Sequence, residues 1–145
     1  MKKPASTTAV AIGAIVGPLV AVAIFLWVMS GFADYERVAT DFVRDAAAGR
    51  YEAAHGRMAR PYRASVPPER FRASLARNAW YRGATSVSFR RTVNNSGGAY
   101  GAGTMHRADG EVDVRVYFVE EGDALKITNV VIAGANAVPS PAEVP

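Results

Sequence analysis

From Pro4 to Ala33 the chain carries no charged residue, and within that stretch Ala9–Phe32 reads AVAIGAIVGPLVAVAIFLWVMSGF. As a helix rising about 1.5 Å per residue, these 24 residues extend roughly 36 Å. A bilayer core of about 30 Å needs about 20 such residues, so the segment is expected to cross a membrane with some tilt. Pro18 would break a soluble helix and is tolerated in a bilayer, where neighbouring groups satisfy the freed carbonyl. Lys2 and Lys3 precede the segment and Asp34 and Glu36 follow it. The positive-inside rule then leaves residues 1–8 in the cytoplasm and puts the rest of the chain outside a cell membrane crossed once. Trp27 and Tyr35 fall near the outer boundary, where amphipathic rings prefer to sit. The rival reading is a signal peptide cleaved after Gly31-Phe32-Ala33. Such peptides have apolar cores of about 7–15 residues, shorter than this one, so the uncleaved anchor is expected. Gly13 and Gly17 form a GxxxG motif, extended by Ala9 and Ala21, that would let two such helices pack closely. A stripe of small residues also arises simply because Ala and Gly are frequent here.

The anchor also changes how the charge is read. Removing Lys2 and Lys3 from 17 basic residues leaves 15 against 13 acidic ones in the remaining chain. A net charge of +2 on a domain facing outside the cytoplasm argues against nucleic acid. The absence of cysteine removes disulfides, thiolate metal sites and a cysteine nucleophile.

Residues 34–132 read as one α+β domain. Tyr35, Val38, Phe42 and Ala46 recur at helical spacing, with Gly49 placed to end the helix in a left-handed cap. A second helix is expected from Tyr51 to Arg60, stopping at Pro61, and a third from Pro67-Pro68 to Asn78 that buries Phe71 and Leu75. From Ala84 the period changes from 3.6 to 2. Strands are expected over Ala84–Val93, Ala99–His106, Glu111–Glu120 and Ala124–Ile132. Asn94-Asn-Ser-Gly-Gly98, Asp109-Gly110 (a type I′ signal) and Glu121-Gly-Asp123 would turn the chain between them. Gly101 and Gly103 suggest a bulge or a close backbone approach in the second strand. Residues 133–145, with three prolines and no apolar pattern, are expected to fray. Helices first and a four-stranded antiparallel sheet afterwards put the helices on one sheet face.

Phe42, Ala46, Gly49, Tyr51, Ala54 and Met58 stand in an F-x3-A-x2-G-x-Y-x2-A-x3-M pattern, followed by Tyr62, Phe71-Arg-Ala-Ser-Leu75 and Gly83-Ala-Thr-Ser-Val-Ser-Phe89. Over roughly residues 35–132 this is similar to the nuclear-transport-factor-2-like superfamily, especially its small bacterial membrane-anchored members of unknown function. The resemblance implies a sheet curved into a cone around a long helix, with a mouth that often holds a ligand or partner. It does not imply one function, because the superfamily includes isomerases, dehydratases and subunits with no catalysis.

A proton-transfer enzyme on such a scaffold needs a base facing into the cone. The expected inward set is Val87, Phe89, Arg91 and Val93; Val112, Val114, Val116 and Phe118; Leu125, Ile127, Asn129 and Val131. It holds no Asp, Glu or His, which argues against acid–base catalysis. His106 is the exception, since glycines blur the second strand's register. If Tyr100, Thr104 and His106 face inward, they join Arg91 and Asn129 around a small anionic or amide-bearing ligand. Otherwise His106 ends a hairpin and Arg91 leaves the core. His55 and His106 have no metal-ligand spacing, and no cofactor motif is present. Seven arginines between Arg57 and Arg82, interleaved with Tyr62, Phe71, Trp80 and Tyr81, read either as a contact for a protein partner or anionic lipid headgroups, or as a solvated helix face over core aromatics. The expectation is a membrane-anchored, non-enzymatic binding or assembly module outside the cytoplasm, with self-association through the Gly13/Gly17 stripe as a further mode. The alternative is an isomerase- or dehydratase-type enzyme that uses His106 with Tyr100 or Tyr62 in the cone.

Overall fold

A computed structural model describes the backbone of residues 7–141, and the side chains of residues 17–27 and 34–141 within it. Helix α1 runs Thr7–Ala47, and the chain divides into two compact units, Met1–Ala33 and Asp34–Pro145. In the first unit, Pro18 lies inside the helix, and Leu19, Val20, Val22, Ile24, Phe25, Leu26 and Trp27 are all exposed. Only 11 residues of the expected membrane segment have described side chains. Among the described residues no helix is long and apolar enough to cross a membrane. Gly13 lies outside the residues with described side chains, and a Cβ on Gly17 would meet nothing within 4 Å.

The second unit is α+β. The last turns of α1 bury Ala39, Phe42, Val43 and Ala46. Gly49, at φ 75°, closes the helix with paired bonds from its own N–H to the Ala46 carbonyl (3.3 Å) and from the Arg50 N–H to the Asp45 carbonyl (2.8 Å), the double bond pattern of a left-handed glycine cap. Helix α2 (Tyr51–Gly56) stops earlier than the Arg60 expected from sequence. The reason is tertiary: Arg57–Ala59 straightens and pairs with the sheet, the Ala59 N–H donating to the Ile127 carbonyl at 2.7 Å and the Ile127 N–H to the Arg57 carbonyl at 2.9 Å. Pro61 therefore opens α3 (Arg60–Ser65) instead of ending α2. Helix α4 (Pro68–Arg77) buries Phe71 and Leu75, and a short 3-10 helix (Ala79–Tyr81) leads into the sheet.

The sheet is an antiparallel meander in chain order: β1 (Ala84–Asn95), β2 (Gly98–Arg107), β3 (Gly110–Glu121), β4 (Ala124–Ile132) and β5 (Ala135–Asn136). Two features correct the sequence reading. The β2–β3 loop is Ala108-Asp109, because Arg107 pairs with Gly110, so the turn sits one residue earlier than Asp109-Gly110. Residues with positive φ at both loop positions occur instead at Ala133 (51°) and Gly134 (80°), which fold β5 back onto β4. The segment expected to fray is consequently held as far as Pro139. Ala137, Val138 and Pro139 are buried, and the Tyr81 and Tyr62 hydroxyls donate to the Ala137 and Pro139 carbonyls at 2.8 and 2.7 Å. Asn78 and Arg70 add bonds to the carbonyls of Ala137 and Ser140.

The outer edge of β1 is covered by side chains of α1. The Phe89 N–H donates to Glu36 Oε1 at 2.7 Å, the Val87 N–H donates to Thr40 Oγ1 at 3.0 Å, and Arg44 Nε donates to the Thr85 carbonyl at 2.6 Å. Four helical residues rise about 6 Å and two strand residues about 6.7 Å, so side chains at i, i+4 and i+8 meet alternate strand residues in register. This side-chain ladder stands where a further strand would otherwise add to the edge. Thr40→Val keeps the shape and removes the partner of Val87. It is expected to cost about 1–2 kcal/mol in denaturant unfolding. A neutral result would mean that water serves Val87 equally well.

Candidate binding surface

Alternation along β2 puts Gly101, Gly103 and Met105 on the buried face and Tyr100, Ala102, Thr104 and His106 on the other. The inward set read from sequence is right for Val87, Phe89, Val114, Val116, Phe118 and Ile127. It is wrong for Arg91, Val93, Asn129 and Val131. An extra residue at Arg90, between the pairs Phe89↔Gly103 and Arg91↔Ala102, flips the end of β1 so that Arg91 and Val93 face outward. An extra residue at Thr128, between Tyr117↔Asn129 and Phe118↔Ile127, does the same in β4, and Val130 and Ile132 take the core positions. All five candidate ligand residues, Arg91, Tyr100, Thr104, His106 and Asn129, thus share one face of the sheet. That face is turned away from the helices.

The register arranges this face in cross-strand rows. One row is Val93, Tyr100, Tyr117 and Asn129; the next is Arg91, Ala102, Arg115 and Val131; then come Ser88, Thr104 and Asp113, and last Ser86, His106 and Glu111. The Tyr100 and Tyr117 rings lie 5.6 Å apart at 41°. Arg115 stacks 5.3 Å from the Tyr100 ring centre and donates to the Tyr117 hydroxyl at 3.4 Å. Arg90 reaches Asp113 at 3.3 Å, an exposed pair of little energetic weight. Asn129 turns aside, donating to Asn136 Oδ1 at 3.3 Å. His106 Nδ1 lies 3.0 Å from Glu111 Oε1, and its Nε2 lies 3.2 Å from Ser88 Oγ. An open groove of about 500 Å³ crosses the second row, lined by Arg90, Arg91, Ala102, Arg115, Val131 and Gly134 among others.

The helix-facing side is filled. Phe42 packs edge-on to Tyr81 and Phe71 at 5.9 and 6.4 Å, and Phe71 meets His55 and Tyr62 at 5.1 and 6.2 Å. The polar groups in this cluster are bonded to backbone: His55 Nε2 lies 2.8 Å from the Val66 carbonyl oxygen, and both tyrosines hold the C-terminal segment. Burial pushes the Tyr62 and Tyr81 hydroxyls well above the ordinary tyrosine range, which keeps them protonated as donors. A smaller recess of about 290 Å³ opens at the β1–β2 hairpin beside Tyr35, Phe118, Leu125 and Glu120. There burial, and then the Glu120 charge, raise the Tyr35 pKa.

Of the Arg57–Arg82 segment, Arg57 is tied to Asp45 at 2.8 Å, Arg70 to the Ser140 carbonyl at 3.0 Å and Arg77 to the Ala73 carbonyl at 3.1 Å. Tyr62, Phe71 and Tyr81 belong to the core, whereas Trp80 is exposed with Arg107 5.7 Å from its ring centre. No cluster of three metal-ligating side chains occurs among the described residues. Arg115, Tyr117, Ser88 and Glu111 were not singled out from sequence as candidates. The alternation of β3 puts Arg115 and Tyr117 on the face opposite its valines, but which residues share their rows depends on the extra residues in β4 and β1. Neither a protein-family model nor a curated protein matches this chain.

Proposed function

We propose that the chain is a membrane-tethered, non-enzymatic binding or assembly module, with a nuclear-transport-factor-2-like domain held outside the cytoplasm. The observation that carries this reading is the division of the sheet into two unlike faces. The helix-facing side is packed with aromatic and aliphatic side chains, and its histidine and tyrosines serve backbone carbonyls. The cations and half-buried rings gather on the open outer face, where a partner or ligand can reach them. The tether rests on the uncharged 30-residue stretch and its flanking charges. It is supported by the large apolar side chains exposed between Leu19 and Trp27, a surface that in water calls for cover by lipid or protein.

One observation favours an enzyme instead. Ser88, His106 and Glu111 form a hydroxyl–imidazole–carboxylate chain in the order used for acyl transfer. It ranks second because these groups lie on an open sheet face exposed to water.

One membrane preparation tests both readings. Under the first, the chain stays in the membrane pellet through alkaline carbonate washing, is digested by protease added outside intact cells, and takes up no diisopropyl fluorophosphate. Release by carbonate would overturn the tether. A stoichiometric phosphoryl adduct at Ser88 that disappears in His106→Ala would reverse the order of the two readings.

A further inference from the structure

The geometry points to an oxyanion clamp formed by Arg91 and Arg115 over Ala102, with an acidic saccharide as its ligand: a sugar ring carrying a carboxylate or phosphate. The inference rests on the reading of the domain as a binding module outside the cytoplasm.

Arg91, Ala102 and Arg115 occupy successive strands of one cross-strand row. Adjacent strands lie about 4.8 Å apart, so the two arginine backbones stand about 10 Å apart with one methyl group between them. Guanidinium groups on stems of this length can close over the alanine from both sides. Neither arginine is neutralised within the protein. Among the described residues the Arg91 side chain makes no hydrogen bond or ion pair, and the polar and ring partners of Arg115 are the two tyrosines, through its stacking on Tyr100 and its bond to Tyr117. The one carboxylate lining the groove, Asp113, lies 3.3 Å from Arg90 in an exposed pair. Two planar, multiply donating cations that line one groove on either side of a small floor match a carboxylate or phosphate, each of which accepts from several directions.

The rings beside the clamp identify the rest of the ligand. Tyr100 and Tyr117 lie two residues from Ala102 and Arg115 on the same face, so a group seated in the clamp brings its neighbouring atoms against them. Half-buried tyrosines present an apolar ring face together with a hydroxyl, which suits a sugar ring with C–H bonds on its face and hydroxyls at its rim. The Thr104 hydroxyl flanks the other side of the row. The stacked Arg115 holds the Tyr100 ring in place before any ligand arrives.

Calorimetric titration of the full chain in detergent micelles tests this, with trigalacturonate as acidic saccharide, maltotriose as neutral counterpart and inorganic phosphate as bare oxyanion. Trigalacturonate is expected to bind and maltotriose to give no heat. Arg91→Ala and Arg115→Ala should each weaken trigalacturonate by about tenfold or more, the equivalent of one charge-assisted hydrogen bond. Tyr100→Ala, which removes the ring platform and the stacking partner of Arg115, should weaken trigalacturonate by a larger factor than it weakens phosphate. Both arginines are exposed, so the unfolding midpoint should not move; if one variant does unfold, Arg91→Lys, which keeps the charge and loses the fork, carries the test. Equal binding by wild type and variants, binding of maltotriose as tight as trigalacturonate, or phosphate binding with no gain from the sugar would each overturn the proposal. So would a change in sedimentation of the unliganded chain on Arg91→Ala, which would make this face a contact between copies. Crosslinking of the same variants in membranes separates the two levels: partner crosslinks that survive while trigalacturonate fails to bind remove the clamp and leave the binding module standing.

Discussion

Replacing Gly103 with alanine is expected to cost about 3 kcal/mol or more in folding stability, the upper end of what overpacking produces. Gly103 pairs with Phe89 on one side and Val114 on the other, on the buried face of β2. A Cβ there would run into the Ser88 carbonyl oxygen and lie 2.7 Å from Phe89 Cα and 2.9 Å from the Ser88 carbonyl carbon. These are backbone atoms of an adjacent strand, so no rotamer change relieves the clash, and β1 itself must move. Gly101 is the internal comparison. A Cβ there would meet Phe89 ring carbons at 2.6 Å, and a ring can swing. Gly101→Ala should therefore cost less, about 1–2 kcal/mol. Urea unfolding of the two variants side by side decides the matter. If Gly103→Ala is no worse than Gly101→Ala, the strands do not approach as closely as described. The consequence reaches the outer face as well. The close approach sits beside the extra residue at Arg90 that turns Arg91 outward, so a displaced β1 also displaces one arm of the proposed clamp.

The glycines show how far the sequence could be read. Gly101 and Gly103 inside a strand pattern announce a bulge or a close approach: the close approach occurs at Gly103 itself, and the bulge lies on the neighbouring strand, where the extra residue is Arg90, which no local signal marks. A single unmarked residue exchanges the two faces of everything after it, because the side-chain period of a strand is two. That is why Phe89 was placed correctly and Arg91 was not, and why Asn129 left the core after Thr128. Helix positions were more legible. The apolar stripe of α1, its Gly49 cap and the Phe71/Leu75 pair depend on contacts within a few residues of chain. The early end of α2 depended on Ile127, some seventy residues away, and the order in residues 137–140 depended on tyrosine hydroxyls from α3 and the 3-10 helix. The five candidate ligand residues were grouped by a hypothesis about register. They are grouped in the structure as well, though on the face opposite the one the inward alternative required; Arg91 outside the core and His106 at a hairpin end match the other alternative.

Asp45→Asn is expected to destabilise the domain by about 2–3 kcal/mol at pH 7, and the difference should vanish in acid. The Asp45 side chain is only 8% exposed at the end of α1, and it accepts from Arg57 Nε at 2.8 Å and Arg50 Nε at 2.9 Å. Through Arg57 it ties α1 to the segment that pairs with β4. Burial alone would raise its pKa, but hydrogen bonds and charge from Arg57 and Arg50 outweigh that cost, so the carboxyl is held below the ordinary aspartate range. The Arg50 side chain is 59% exposed and screened by water, so most of the effect belongs to Arg57, at 35%. Asparagine keeps the shape but offers one acceptor, and its amide nitrogen would point donors at a guanidinium that also donates. The folded pKa lies below the unfolded value of about 3.9, so the contribution is complete above that value and is lost as pH falls through the folded pKa. Wild-type stability should therefore decline below about pH 4 toward that of the variant. The variant's own curve should lack this component of the decline, and the two should converge once Asp45 is protonated in the folded state. Denaturant unfolding of both proteins from pH 7 to pH 2 measures this. Parallel curves across the whole range would mean that Asp45 holds the helices through shape and neutral hydrogen bonding, with its charge contributing nothing.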